Sequence, residues 1–322
     1  MTEEDGLGVL MGLAVVFPGQ GVQTVGMGRD VAERYPEARA VFEEADRALG
    51  FPLHRLCWEG PAEDLTVTYH AQPAVVTVSY ALWTLLTRFG SLRPDYVAGH
   101  SLGEYTALAA AGALSFSDTV RLVYDRGRFM QEAVPVGVGA MAAVLGLPEE
   151  VVVDVCHRLN RPDAVVAPAN FNAPDQVVIA GHRTAVEAAA EELRRRGARR
   201  IVFLQVSAPF HCVLMKPAED RMAERLDQVP WRDLSIPWLN NVNAEPITDG
   251  AAAREILKRQ ITAPVLWTRL VRRLWDLGVR VFVEVGPGRV LTGLIQRSVP
   301  GAECVNVSDL KTLEAALNRW SR

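Results

Sequence analysis

Gly99-His100-Ser101-Leu102-Gly103 sets a serine between two glycines, and its flanks read as a short strand, Asp95 to Gly99, and an alanine-rich helix. Gly-x-Ser-x-Gly between a strand and a helix forms a sharp turn in which the glycines prevent clash and the serine oxygen is left exposed. The next backbone N–H, that of Leu102, then falls at a helix N-terminus, where a developing oxyanion is stabilised by hydrogen bonding and the helix dipole. On spacing alone the pentapeptide also fits a tight turn with no chemistry, and it is the strand and helix on either side that favour a nucleophile. A serine hydroxyl needs a base to take its proton. His211, in Ala208-Pro209-Phe210-His211-Cys212, lies in a loop from which it can meet Ser101, although a single loop histidine is also a common structural residue. Arg126 shares its helical stretch with Arg121 and Arg128, and by pattern all three fit a solvated helix face.

The elements that must position these residues alternate. Leu13 to Phe17 is a short apolar run ending at Pro18-Gly19, as for a buried strand that breaks into a loop, and polar helix-favouring stretches follow to about Leu49. Gln72 to Phe89 has helical apolar spacing. The middle of the chain gives a strand (Gly139 to Gly146), a helix (Pro148 to Leu159), two strands (Val165 to Asn170, Gln176 to Gly181), a helix (Arg183 to Arg196) and a strand (Arg200 to Val206). That order is the ferredoxin-like β-α-β-β-α-β pattern, and it predicts a small domain over 134–207 inserted into a larger one. After it come a helix beyond Pro217, a strand at Pro237 to Val242, helices through Leu277, a strand at Val281 to Val285, the turn Gly286-Pro287-Gly288 and another helix. Alternation on both sides of the insert predicts an α/β large domain, 13–133 with 208–322, built on one mostly parallel sheet with helices on both faces.

Composition narrows the class. The chain has 322 residues, 49% hydrophobic and 22% charged, enough to bury a sizeable core. No uninterrupted apolar run reaches the roughly 20 residues of a bilayer-crossing helix. The N-terminal stretch carries acidic residues and no basic or long apolar segment, so it does not read as a secretory signal, and a cytoplasmic location is expected. Residues 1–12 are expected to be a disordered or start-site extension. Thirty-four basic against thirty-eight acidic residues give a net charge of −4, which supplies no basic field for nucleic acid. Lysine stands only at 216, 258 and 311, so the basic residues are overwhelmingly arginine. The four cysteines form no Cys-x-x-Cys pair and the six histidines no His-Glu-x-x-His motif, so neither a disulfide framework nor a metal site is expected. Gly6-x-Gly8 and Gly137-x-Gly139 lack the strand-to-helix setting of a dinucleotide loop. The run Arg194-Arg195-Arg196 with Arg199 and Arg200 fits a solvated helix end better than a docking patch.

Several segments in series resemble the bacterial malonyl-CoA:acyl carrier protein transacylase family: Phe17-Pro18-Gly19-Gln20-Gly21, Gly99 to Tyr105, Arg126 to Pro135, Asn170 to Gly181, His211 with Met215-Lys216-Pro217-Ala218, and Glu284 to Gly288. They keep the family's order from about Leu13 to Leu294. The resemblance implies an α/β-hydrolase-like large domain with a ferredoxin-like insert and malonyl transfer to acyl carrier protein in fatty acid biosynthesis. It implies that Ser101 attacks the malonyl thioester, that His211 moves the proton, and that the N–H groups of Gln20 and Leu102 hold the oxyanion. It further implies that the Gln260 backbone carbonyl orients His211 in place of a triad carboxylate, and that Arg126 grips the free malonyl carboxylate. Met130, Asn170, Asn172 and His100 match positions around the acyl pocket, and Phe210 the bulky position before the histidine that excludes branched acyl units. Asp175 departs from the family's usual glycine, so a slightly different turn is expected there. The implied partners are malonyl-CoA and an acidic, phosphopantetheinylated acyl carrier protein, with no cofactor, no membrane and a monomeric enzyme. A stand-alone polyketide-synthase acyltransferase, a serine thioesterase or esterase, and a non-catalytic carrier-binding module are the competing readings.

Overall fold

The structure is a computed structural model that describes residues 11–206 and 208–321. The expected N-terminal extension lies outside the described residues except for Met11 and Gly12, and Gly12 opens the first strand. Among the described residues ten strands form two sheets: β1 (Gly12–Phe17), β2 (Tyr96–Gly99), β3 (Gly139–Leu145), β4 (Val166–Ala173), β5 (Gln176–His182), β6 (Arg200–Phe203), β7 (Trp238–Leu239), β8 (Pro246–Ile247), β9 (Val279–Val285) and β10 (Glu303–Val307).

The larger sheet has the order β10-β9-β1-β2-β7-β8. Its first five strands run parallel, and only the two-residue edge strand β8 is antiparallel. The central strand β1 is the apolar run Gly-Leu-Ala-Val-Val-Phe. Val15 and Phe17 face one buried layer while Ala14 and Val16 face the other, so burial on both sides selects a continuous hydrophobic strand. The register pairs Phe17 with Gly99, so β1 and β2 end level and release their loops side by side. Ligand sites in parallel sheets form at these carboxyl ends, and here the loops after β1, β2 and β7 converge there.

The smaller sheet is antiparallel with the order β4-β5-β3-β6, and helices Glu149–Leu159 and Arg183–Arg195 lie between its strands in sequence. Strand alternation divides its faces. Ala140, Ala142 and Val144 of β3 join Val177 and Ile179 of β5 against the two helices. Met141, Ala143, Val178 and Ala180 face the main core instead. β4 is also tied to the large unit directly, because Phe171 N–H donates to the Val265 carbonyl and Val265 N–H to the Ala169 carbonyl, at 2.9 and 2.8 Å.

Helix Thr68–Phe89 carries Pro73 yet buries most of its length, and it packs on helix Phe116–Glu132. Their close approach requires Gly127: a Cβ there would lie 2.6 Å from Tyr69 Cα and 2.8 Å from the Thr68 carbonyl. The approach buries the adjacent Arg126 against the first helix.

Several boundaries differ from those the sequence suggests. The strand expected at Pro237 to Val242 stops at Leu239 because Asn240 Oδ1 accepts from the N–H groups of Val242 and Asn243, which diverts the backbone from the ladder. The strand expected to reach Val206 ends at Phe203, with one further bond from Leu204 N–H to the Met141 carbonyl before the chain turns away. β4 runs on to Ala173 and so carries both Asn170 and Asn172. The arginine run is largely neutralised: Arg194 pairs with Glu191, Arg195 and Arg196 with Glu192, and Arg199 with Asp175. Asp175 also pairs with Arg297, and it is not left-handed, since only Ser101, His211 and Ala244 among the described non-glycine residues have positive φ.

Candidate active site

Ser101 sits in the turn from β2 into helix Gly103–Ala110 with φ of 51°. The flanking glycines are obligatory: a Cβ on Gly99 would lie 1.9 Å from the Gly103 carbonyl carbon, and one on Gly103 would lie 2.1 Å from the Phe17 carbonyl oxygen. Gly19 brings the loop after β1 equally close, because its Cβ would lie 2.6 Å from the His100 carbonyl. Ser101 Oγ and His211 Nε2 are 2.7 Å apart. His211 comes from the loop leaving the small sheet, with φ of 56° and 3% exposure.

His211 Nδ1 lies 3.1 Å from the Gln260 carbonyl and 3.0 Å from the Ala263 carbonyl. Carbonyls only accept, so Nδ1 carries the hydrogen and Nε2 is free to receive the serine proton. Burial pushes the His211 pKa down to about 3, and the nearby Arg126 and His100 add to that effect. The imidazole is therefore a neutral base with no carboxylate behind it. Cys212, next along the chain, is no rival nucleophile, since burial pushes its thiol up to about 11 and Sγ donates to the Pro209 carbonyl.

Arg126 is only 1% exposed, whereas Arg121 and Arg128 of the same helix lie at the surface against Asp118 and Asp125. Its Nη1 donates to Gln72 Oε1 at 2.9 Å, and its Nη2 to Gln260 Oε1 at 2.9 Å and Ser101 Oγ at 3.1 Å. Its Nε has no acceptor among the described residues, and the guanidinium lies 5.5 Å from the Tyr105 ring centroid. A buried cation held only by neutral acceptors is poised to gain from an incoming carboxylate.

Three further side chains organise the elbow. Asn241 Oδ1 accepts from Ser101 N–H and its Nδ2 donates to the Gly99 carbonyl, both at 2.7 Å. Gln260 Nε2 donates to the Ser101 carbonyl at 2.8 Å. Glu104 is fully buried and accepts from Asn241 N–H and Gln260 Nε2, each at 2.7 Å. Burial pushes Glu104 up to about 8, while its donors and Arg126 pull in the opposite direction.

A cleft of ≈ 1030 Å³ opens over Ser101, lined by Gln20, His100, Leu102, Arg126, Met130, Asn170, Asn172, Phe210 and His211 among others. The backbone N–H groups of Gln20 and Leu102 have no acceptor among the described residues. His100 donates through Nε2 to Asn172 Oδ1 at 2.7 Å and faces Trp267. Gln72 Nε2 contacts Gln20 Oε1 at 3.4 Å and Met130 Sδ at 3.7 Å. The site residues that the resemblance implies thus all line this cleft, except Gln260, which stands behind its wall. Gln72, Asn241, Ala263 and the role of Glu104 were not anticipated. Consecutive asparagines after a strand that ends beside the elbow, and one amide inside an apolar helix, were the available signals. Among the described residues no group of three or more His, Cys, Asp or Glu side chains could hold a metal ion.

A serine with a neutral imidazole base, one free N–H at a helix start, a second in the loop after β1 and a buried guanidinium beside the oxygen can form and discharge an acyl-serine ester. Fold and site together fit the class of α/β acyl-transferring enzymes. The chain belongs to the acyl transferase domain family, whose pattern matches residues 14–315, and to its malonyl CoA-acyl carrier protein transacylase branch. It is 46% identical over 306 residues to the malonyl CoA-acyl carrier protein transacylase of Salmonella typhimurium, covering 95% of this chain and 99% of that protein. The corresponding Bacillus subtilis protein is 45% identical over 305 residues, covering 95% and 96%. Among solved structures, an acyl carrier protein S-malonyltransferase from Vibrio cholerae superposes with a TM-score of 0.92 at 44% identity, over 94% of this chain and 99% of that one. A malonyl-transacylase in complex with its holo type II PKS acyl-carrier protein gives 0.93 at 42% identity, over 96% and 99%.

Proposed function

We propose that this protein moves the malonyl group of malonyl-CoA to the phosphopantetheine thiol of holo acyl carrier protein through a malonyl-Ser101 ester, in fatty acid biosynthesis. Ser101 Oγ attacks the thioester carbonyl as His211 Nε2 takes its proton. The N–H groups of Gln20 and Leu102 meet the oxyanion. Collapse breaks the carbon–sulfur bond, and His211 returns the proton to the departing CoA sulfur. The carrier thiol then enters, gives its proton to His211 and attacks the ester carbonyl, and Oγ leaves carrying that proton. One thioester replaces another, so no cofactor enters the balance.

The observation that carries this reading is Arg126, a buried cation one hydrogen bond from the nucleophile. The large sheet is read as α/β-hydrolase-like and residues 134–207 as a ferredoxin-like insert, which the strand orders support. The enzyme is read as monomeric. A serine esterase is disfavoured because His211 Nδ1 faces two carbonyls and no carboxylate. A stand-alone role with a polyketide carrier uses the same residues, and the similar malonyl-transacylase bound to a type II PKS carrier favours keeping that second reading.

Mixing the protein with malonyl-CoA should give a one-malonyl mass increase on this chain. Addition of holo carrier protein should move that mass to the carrier, while the apo carrier, which lacks the thiol, should leave it in place. Malonate released to water at the transfer rate would instead identify a hydrolase. The pH dependence follows from His211. A base that must be neutral is lost as pH falls through its pKa, and that pKa is held at about 3. Single-turnover acylation should therefore stay constant within about twofold from about pH 7 to about pH 5, where a histidine at the ordinary 6.5 would lose roughly thirtyfold.

A further inference from the structure

Ser101 has its backbone N–H held by one side chain, Asn241, and its carbonyl by another, Gln260. Both side chains belong to segments distant in sequence, and both segments are gripped by one residue. Glu104 Oε1 accepts the backbone N–H of Asn241, which fixes the segment carrying that clasp. Glu104 Oε2 accepts from Gln260 Nε2, which fixes the amide so that its Oε1 faces Arg126 Nη2. Without Glu104 the NH2 would keep only the Ser101 carbonyl as acceptor, so the amide would be held less firmly against a turn that sets its NH2 toward the guanidinium donors. The Gln260 backbone carbonyl in turn meets His211 Nδ1. We propose that Glu104, which reaches neither the cleft nor the reacting atoms, is the positioning residue that locks nucleophile, base and guanidinium into one register by holding Asn241 and Gln260 together beneath the elbow.

Two facts favour this over simple core filling. Ser101 is held in a left-handed backbone, a conformation that persists only when its surroundings over-determine it. The two clasps on its peptide groups are the over-determining contacts. In addition, a carboxyl group with no exposed surface in an apolar helix is expensive to bury, and a hydrophobic residue would fill the same space without that penalty. Its retention is explained by what its two oxygens hold.

The inference rests on Ser101 and His211 forming the reactive pair, and the test separates it from the malonyl reading by using a substrate-independent probe. Glu104→Gln places an NH2 group against one of the two donors, and Glu104→Asp keeps the carboxyl group but withdraws both oxygens by about one bond length. Labelling of Ser101 by a fluorophosphonate, measured well below the unfolding midpoint, is expected to slow roughly 10²-fold in both variants, with malonyl-CoA acylation falling in kcat while KM changes little. Asn241→Ala should slow labelling similarly, and the Glu104→Gln/Asn241→Ala double variant should fall short of the product of the two losses, because the Asn241 arm is common to both. Labelling at the wild-type rate in both Glu104 variants, or additive losses in the double variant, would overturn the assignment. A wild-type protein that labels with fluorophosphonate but takes no malonyl group would sink the proposed function and leave the Glu104 role standing.

Discussion

Replacing Ser101 by alanine is expected to abolish the covalent malonyl adduct, and replacing His211 by alanine to slow its formation by at least roughly 10⁴-fold. Each removes one side of a single 2.7 Å contact, and among the described residues no second base contacts Oγ. In His211→Ala the hydroxyl keeps only the hydrogen bond from Arg126 Nη2, a group that donates and has no capacity to take a proton. The double variant should be no slower than Ser101→Ala, because the two residues act as a unit. Intact-mass analysis of the protein after exposure to malonyl-CoA reads the adduct directly. An adduct that survives in Ser101→Ala would place the nucleophile elsewhere.

The second large effect concerns acyl selection. Arg126→Ala should cut the preference for malonyl-CoA over acetyl-CoA, measured as the ratio of kcat/KM values, by up to roughly 10⁴. Acetyl-CoA offers no carboxylate, so in the intact protein the guanidinium stays buried with only neutral partners during its reaction. The alanine variant removes that discrimination and leaves Gln72 Oε1 and Gln260 Oε1 without their donors. Arg126→Lys should restore only part of the preference. Its ammonium keeps the charge but lacks the planar fork that reaches both amides and a carboxylate together. An unchanged ratio in Arg126→Ala would show that the carboxylate is recognised by other groups.

Much of this arrangement was legible in the residues. The serine turn could be read because its glycines are demanded locally, by clashes of less than 3 Å within the loop and with β1. The small unit could be read because short, nearly continuous apolar runs mark its strands β3 and β5 and apolar residues recur at helical spacing in its helices. β10 and the helix Leu310–Arg319 that follows went unassigned, since Glu303 to Val307 is a half-buried edge strand with little apolar contrast. The burial of Arg126 was not legible from periodicity. It depends on Gly127 admitting Tyr69 of another helix, a contact no local pattern encodes. Nor were Asn241 and Gln72 visible as site residues, because each acquires its role from a partner far away in sequence, Ser101 for one and Arg126 for the other.

Ser101 and His211 share one trait with only Ala244 among the described non-glycine residues: positive φ. A side chain in that region costs about 1–3 kcal/mol, which glycine avoids. The two groups proposed to carry turnover are thus two of the three described non-glycine positions where the chain would relax if reactivity were no object. Laboratory selection for heat tolerance alone should accordingly drift toward glycine at positions 101 and 211, yielding hardier and inert descendants.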